Sequence, residues 1–374
     1  MDKAIFPTEN CIQQQVERAL DFHCHGVGRF DFTEIPELDL EEIEELLSKR
    51  KQRTILTLYL PKPNFEQFLY LMQNFYEKKK AGKFSHIVGF GLEGPLLASH
   101  GGTPETGIWM PSKQHWRELA ACGQKGLVYV VLSPDAHLGK NAAHTNPHSI
   151  SWIAETLLDG GVLPAPGHFI KSNPSESAKA LQTIFDIVAS WGYCPTISDH
   201  LFNDMPRNFK HAWRTPAERK IRDQEIKMLK MDSWDLDTLE ENLGPVPAVM
   251  IKNARRGHVK ICLNFDGEHV DLAVAKKAVE LIGAENMLMM TDSIESKRLA
   301  GRHLQMQENS TLLYQDEGIV AAGSQNVFHQ VKNMFSIGLT EKQISLICDL
   351  VPSSIIKQRY QYAQEHAHVK ADCV

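Results

Sequence analysis

Apolar, β-branched runs alternate with amphipathic stretches from one end of the chain to the other. Eight short runs read as strands, ending near Phe22 (ALDF), Leu60 (RTILTLYL), Leu92 (HIVGFGL), Leu132 (LVYVVL), Pro166 (VLPAP), Ser198 (CPTIS), Phe265 (VKICLNF) and Thr291 (MLMMT). Short apolar runs bounded by turn signals fit buried strands. Helix-like segments lie between most of them. Glu37 to Lys51 is rich in Glu, Leu and Lys, and Asn64 to Lys80 repeats apolar residues at helical spacing. Ser175 to Trp191 opens on a serine-rich cap, and Asp271 to Ile282 opens on an acidic one. Strands alternating with helices predict parallel βαβ units, and the count of eight predicts a closed (β/α)8 TIM barrel. The whole of 1–374 is expected to form this one domain. About 207–247 is expected to be an insertion after strand six, with a helix over Pro216 to Lys230. Gly301 to Gly318 reads as a loop or hairpin after strand eight, and about 357–374 as a polar C-terminal tail.

Composition narrows the function classes. Hydrophobic residues make up 43% and charged residues 23%, ordinary for a globular chain with a sizeable core. The formal net charge of −6 argues against a general nucleic-acid binder. No apolar run approaches the ~20 residues that span a bilayer. The N-terminal stretch lacks the basic and apolar regions of a signal peptide. The seven cysteines are scattered and form no CxxC pair, which predicts a reducing, cytoplasmic setting without disulfides.

The 17 histidines justify a search for metal ligands. Strand one runs into His23-Cys24-His25, and side chains two apart on a strand share a face. Strand three ends in Glu93, strand five in His168, strand six in His200 and strand eight in Asp292. Strand seven runs into Asp266-Gly267-Glu268-His269. In a barrel these C-terminal ends converge on one mouth. Each feature alone has a plain structural reading: Asp292 could cap a turn, Glu93 could pair with a lysine, His168 could be a hydrogen-bonded core histidine. Their joint placement at the ends of different strands points to a shared divalent ion. Imidazole and carboxylate suit Zn²⁺, with Fe²⁺, Mn²⁺ or Co²⁺ as alternatives and one or two ions. Gly89 to Gly94 matches GxGxxG, but Pro95 and the LLASHGG stretch after it do not open the helix that a dinucleotide fingerprint needs. A second HxH, His366 and His368, has no strand context and is expected to be solvent-exposed.

The chain resembles the N-acetylglucosamine-6-phosphate deacetylases of the amidohydrolase superfamily. The matching stretches are DFHCHG (21–26), GLEGP (91–95), PGH (166–168), DHLFNDMP (199–206), GPV (244–246), DGEHVD (266–271), TDS (291–293) and AAGS (321–324). The resemblance implies a metal-dependent hydrolase that removes an acyl group from an amino sugar or a related small N-acyl amine. It implies Glu93, His168 and His200 as core metal ligands, with His23 and His25 on a second ion. Asp292 would be the general acid/base and could also touch metal. His269 and Asn203 would contact substrate, and the turn with Ser324 would line the acyl pocket. It also implies a tendency to form homodimers.

Departures from the family pattern matter as much. The family's flanking β-sandwich is expected to be absent. Its GAHP histidine, which polarises the substrate carbonyl, is replaced here by Thr103, with His100 as a substitute. Its HLFNAMP has become HLFNDMP, so Asp204 stands where the family binds the sugar phosphate. A carboxylate beside a dianion is unfavourable, which predicts a substrate other than the phosphosugar unless an arginine compensates. Arg207 and Arg214 are the candidates. The rival readings are a nucleobase-type deaminase on the same barrel, a lactonase or phosphotriesterase-like enzyme, and a sugar-binding relative without turnover.

Overall fold

In the computed structural model, which describes residues 8–138, 148–207, 209–210 and 216–371, strands and helices alternate. Helix α1 (Glu9–Arg18) precedes strand β1 (Leu20–Cys24). Then come α2 (Leu40–Arg50), β2 (Arg53–Leu58), α3 (Phe65–Lys80), β3 (Ile87–Glu93), α4 (Lys113–Ala121) and β4 (Leu127–Leu132). They are followed by α5 (Ile150–Asp159), β5 (Leu163–Pro166), α6 (Pro174–Trp191) and β6 (Thr196–His200). Side chains decide where the helices start. Asp39 accepts from the Glu42 N–H, and Asp271 from those of Ala273 and Val274. The cap of α6 is Asn173, with Pro174 in the first turn, rather than the serines beyond it.

Strands β1 to β5 form a parallel sheet in chain order. After β6 come α7 (Pro216–Lys227), α8 (Leu239–Leu243), α9 (Pro245–Arg255), β7 (Val259–Leu263), α10 (Leu272–Ile282) and β8 (Met287–Met289). Strands β6, β7 and β8 form a second parallel sheet, again in order. The sheet curls. Phe22, Ile55, Val88, Tyr129, Leu163, Ile197, Cys262 and Leu288, one from each of the eight strands, meet in one buried inner cluster. Outer clusters pack the helices against the other face. The two sheets also touch at their edges. Thr196 Oγ1 donates to Pro164 O at 2.6 Å, Asp292 N to His23 O at 2.9 Å and His25 N to Ser293 O at 2.9 Å.

The hairpin expected after strand eight is present within a run of short strands: β9 (Arg298–Leu299) pairs with β10 (Arg302–His303), and β11 (Gln305–Met306), β12 (Leu312–Tyr314) and β13 (Val320–Gly323) form an antiparallel sheet. Two expectations need correction. The C-terminal segment is no tail. Beyond α11 (Val327–Ser336) and α12 (Glu341–Ser345), the chain turns into α13 (Val351–Ala371). Arg359 is fully buried on α13, donating to the carbonyls of Gly123, Leu127 and Gly161 at 2.9–3.1 Å. His366 is half-buried rather than exposed, stacked on Tyr362 at 4.0 Å. The GxGxxG glycines lie within and just after β3. A Cβ at Gly91 would strike the Tyr129 ring, so close packing accounts for that glycine. No helix among the described residues is long and apolar enough to cross a membrane.

Candidate metal centre

The C-terminal ends of the strands bring seven buried side chains into two adjoining clusters. His23, His25, Glu93 and Asp292 form one; Glu93, His168, Asp199 and His200 form the other. Glu93, at the end of β3, belongs to both. Its Oε2 lies 3.1 Å from both His23 Nε2 and His25 Nε2. Its Oε1 lies 2.7 Å from His168 Nε2 and 3.8 Å from His200 Nε2. Asp292 Oδ1 completes the first cluster at 3.2 Å from His25 Nε2. Asp199 Oδ2 completes the second at 3.4 Å from both His168 Nε2 and His200 Nε2.

Backbone irregularity puts these groups in place. The β1–β2 pairing slips between Asp21 and Cys24, and the β6–β7 pairing slips between Ile197 and His200. His168 and Asp292 both sit at positive φ, 50° and 49°. Such backbone costs about 1–3 kcal/mol per residue and persists where the surroundings enforce it. Asp21 ties the two sides of the mouth together. Its carboxylate accepts from Thr291 N at 3.0 Å and Thr291 Oγ1 at 2.6 Å. His168 Nδ1 donates to Ser99 O at 2.9 Å, which turns Nε2 toward the cluster.

The electrostatics call for positive charge. Burial opposes ionisation of Glu93, but the imidazoles of His168, His200, His23 and His25 outweigh it and hold the carboxyl well below its usual range. Asp292 is likewise held below its usual range, against burial, by His25 and His269. Burial pushes His25 and His200 down, yet neighbouring carboxylates raise each to about 10. Asp199 is pushed up by burial, and neither of its oxygens has a hydrogen-bond partner. A fully buried carboxylate without a donor is costly unless a cation faces it. Imidazoles with carboxylates, their nitrogens and oxygens converging within 4.8 Å, are the donors that divalent transition ions take. The residues therefore fit such an ion, and the double-faced Glu93 fits a pair.

The pocket above the clusters is walled by Tyr59, Asn203, Asp204, Lys210 and His269, with Gly102, Val320 and Ala321. His269 Nδ1 donates to Asp266 Oδ2 at 2.5 Å, and its Nε2 stands 3.4 Å from Asp292 Oδ2. Asp204 is buried, with Lys171 Nζ at 3.7 Å. Burial raises its carboxyl, but Lys210, His168, His200 and Lys171 bring it to about 2. Four expected substrate residues do not line the pocket. His100 is exposed, and Thr103 is buried away from the lining. Arg207 donates to Asn242 O within the insertion, and Ser324 Oγ donates to Thr311 O. Arg214 lies outside the described residues. Sequence reasoning missed Asp199, Tyr59 and the two lysines, although Asp199 stands inside DHLFNDMP, and it placed Asp266 at the end of strand seven without a role.

No family model matches the chain, and no curated protein matches it. Solved structures match well, among them several N-acetylglucosamine-6-phosphate deacetylases. The Pasteurella multocida enzyme shares 15% identity at a TM-score of 0.64, covering 91% of this chain and 76% of that one. The Thermotoga maritima enzyme shares 15% at 0.62, covering 91% and 78%. A variant of the Mycobacterium smegmatis enzyme, in complex with N-acetyl-D-glucosamine-6-phosphate, shares 18% at 0.61, covering 91% and 77%. At these identities the likeness establishes a shared fold.

Proposed function

We propose that the protein is a metal-dependent amide hydrolase of the deacetylase type, acting on an N-acylated amino sugar or a related small N-acyl amine. The observation that carries this reading is Glu93 with one carboxylate oxygen in each of two His/Asp clusters, at the mouth of a deacetylase-like fold. The two sheets act as one closed (β/α)8 barrel, a reading supported by the hydrogen bonds from Asp292 and His25 across the β8–β1 edge. His23, His25, Asp292 and Glu93 would hold one ion. His168, His200, Asp199 and Glu93 would hold another. Zn²⁺ is the first candidate, and Fe²⁺, Mn²⁺ or Co²⁺ suit the same donors. When bound, a divalent ion supplies Lewis acidity, lowering the pKa of water toward ~7 and polarising the acyl carbonyl.

The chain's own groups handle the protons and the substrate. Asp292, ionised and at the floor of the pocket, takes the proton of the attacking water and returns it to the departing amine. His269, steadied through Nδ1 by Asp266, presents Nε2 to the amide. Asn203 and Asp204 line the pocket and in this reading would meet the amine side of the substrate. Asp204 disfavours a phosphate there, while Lys171 and Lys210 counter it in part. Unpaired described cysteines accord with a cytoplasmic setting. The test is amine release from N-acetylglucosamine, its 6-phosphate and simple N-acetyl amines. Turnover of the unphosphorylated compounds at least as fast as the phosphosugar is expected. Strong preference for the phosphosugar would overturn the Asp204 reading, and no hydrolysis of any would overturn the proposal.

A further inference from the structure

Tyr59 comes just after β2 and is 1% exposed, yet it lines the pocket. In sequence it lies within the apolar run that ends at Leu60 and reads as core. Its ring stacks on His25, with centroids 4.8 Å apart and planes 17° apart. Its backbone N–H donates to Thr33 Oγ1 at 3.3 Å, and it packs with Ile294, Leu299 and Leu313. These contacts fix the hydroxyl 3.3 Å from His25 Nε2, the atom that also faces Glu93 Oε2 and Asp292 Oδ1. Tyr129 also approaches the site, but its hydroxyl is engaged by Thr57 and Phe22 O. His100 and Thr103, which sequence offered as carbonyl-polarising groups, do not line the pocket. His269 approaches from the other side, against Asp292.

We propose that Tyr59 is a catalytic residue, its phenol O–H donating to the substrate's acyl oxygen as negative charge builds there. The inference rests on the deacetylase reading. The hydroxyl faces His25 Nε2 and the Glu93 carboxylate; with both turned toward a cation, the phenol proton goes to the substrate. Water's oxygen forms a bond to the acyl carbon, and the C=O π pair moves onto the acyl oxygen. Asp292 receives the water proton, and Tyr59 holds the oxyanion. The pair then returns to remake C=O, the C–N bond breaks with its electrons going to nitrogen, and Asp292 passes its proton to that nitrogen. The products are a carboxylic acid and an amine. A donor aimed at charge that exists only in the transition state raises kcat and leaves substrate binding nearly unchanged.

The test compares metal-loaded wild type with Tyr59→Phe, which keeps the stacked ring and removes one oxygen. The probes are p-nitroacetanilide and N-acetylglucosamine, with bound metal counted in parallel. The variant should lose about 10²-fold in kcat, on the scale of one oxyanion donor. KM and metal content should stay close to wild type. Unchanged turnover in Tyr59→Phe beside an active wild type would overturn this inference alone. Loss of metal from the variant would overturn it too, making Tyr59 a support for His25. A wild type that hydrolyses neither probe, nor N-acetylglucosamine 6-phosphate, sinks the deacetylase reading and the inference with it.

Discussion

Glu44 connects a helix on the outside of the fold to the strand that carries Glu93. From α2 its carboxylate accepts the backbone N–H groups of Ser85, His86 and Ile87 at 2.8–2.9 Å, where β3 begins. Burial opposes its ionisation. The three N–H groups and the His86 ring outweigh this and lower the carboxyl from 4.5 to about 2. That interval corresponds to at most about 3.4 kcal/mol. Glu44 is only half-buried, so solvent screening leaves roughly 1–2 kcal/mol. The folded pKa lies below the unfolded one. The contribution is therefore complete above pH ~4.5 and is lost as pH falls toward about 2. Urea titrations of wild type and Glu44→Gln at pH 7, 5 and 3 measure this. The variant should be roughly 1–2 kcal/mol less stable at pH 7, and the gap should narrow at pH 3. A gap that holds constant or widens as pH falls would refute the reasoning.

Three other outcomes are expected. Asp292→Asn should abolish turnover and, because Asp292 also faces the His23–His25 cluster, lower bound metal by no more than about one ion per chain; retained amine release would remove Asp292 from the proton path. Asp199→Asn should lower bound metal by about one ion per chain, measured by mass spectrometry of metals, because it strips the buried charge from the His168–His200 cluster; unchanged content would exclude Asp199 as a ligand. Arg359→Met keeps most of the packing but leaves three carbonyls without their donor, so urea unfolding should show a loss of about 3 kcal/mol. A change below about 1 kcal/mol would mean that relief of the guanidinium's burial offsets the lost bonds.

The strand ends were legible because the chain marks them with apolar runs and, at six of the eight, with a histidine or acid after the run. His23, His25, Glu93, His168, His200 and Asp292 were therefore all named before their geometry was known. Asp199 was not, because neighbours on a regular strand face opposite ways. The slip in pairing between Ile197 and His200 brings both Asp199 and His200 to the same cluster, and no composition signal announces a bulge. Tyr59 hid in an apolar run for the opposite reason: its ring does belong to a core, and only its hydroxyl reaches the site. The substrate side was least legible. Arg207 points into the insertion, and the charges that meet the pocket, Lys210 and Asp204, depend on how the loops after β6 fold. The C-terminal helix was masked by its polar surface, although Arg359 anchors it beneath the sheet.

Glu93 is the one side chain shared by both clusters, so metal binding should fail when it is changed. Metal counted on the purified protein, for wild type and Glu93→Gln side by side, tests this without reference to any substrate. Up to two divalent ions per wild-type chain, with most lost from the Glu93→Gln variant, is the expected result. A wild type that binds no divalent ion when offered Zn²⁺, Mn²⁺, Fe²⁺ or Co²⁺, or a Glu93→Gln variant that binds as much as wild type, would contradict it.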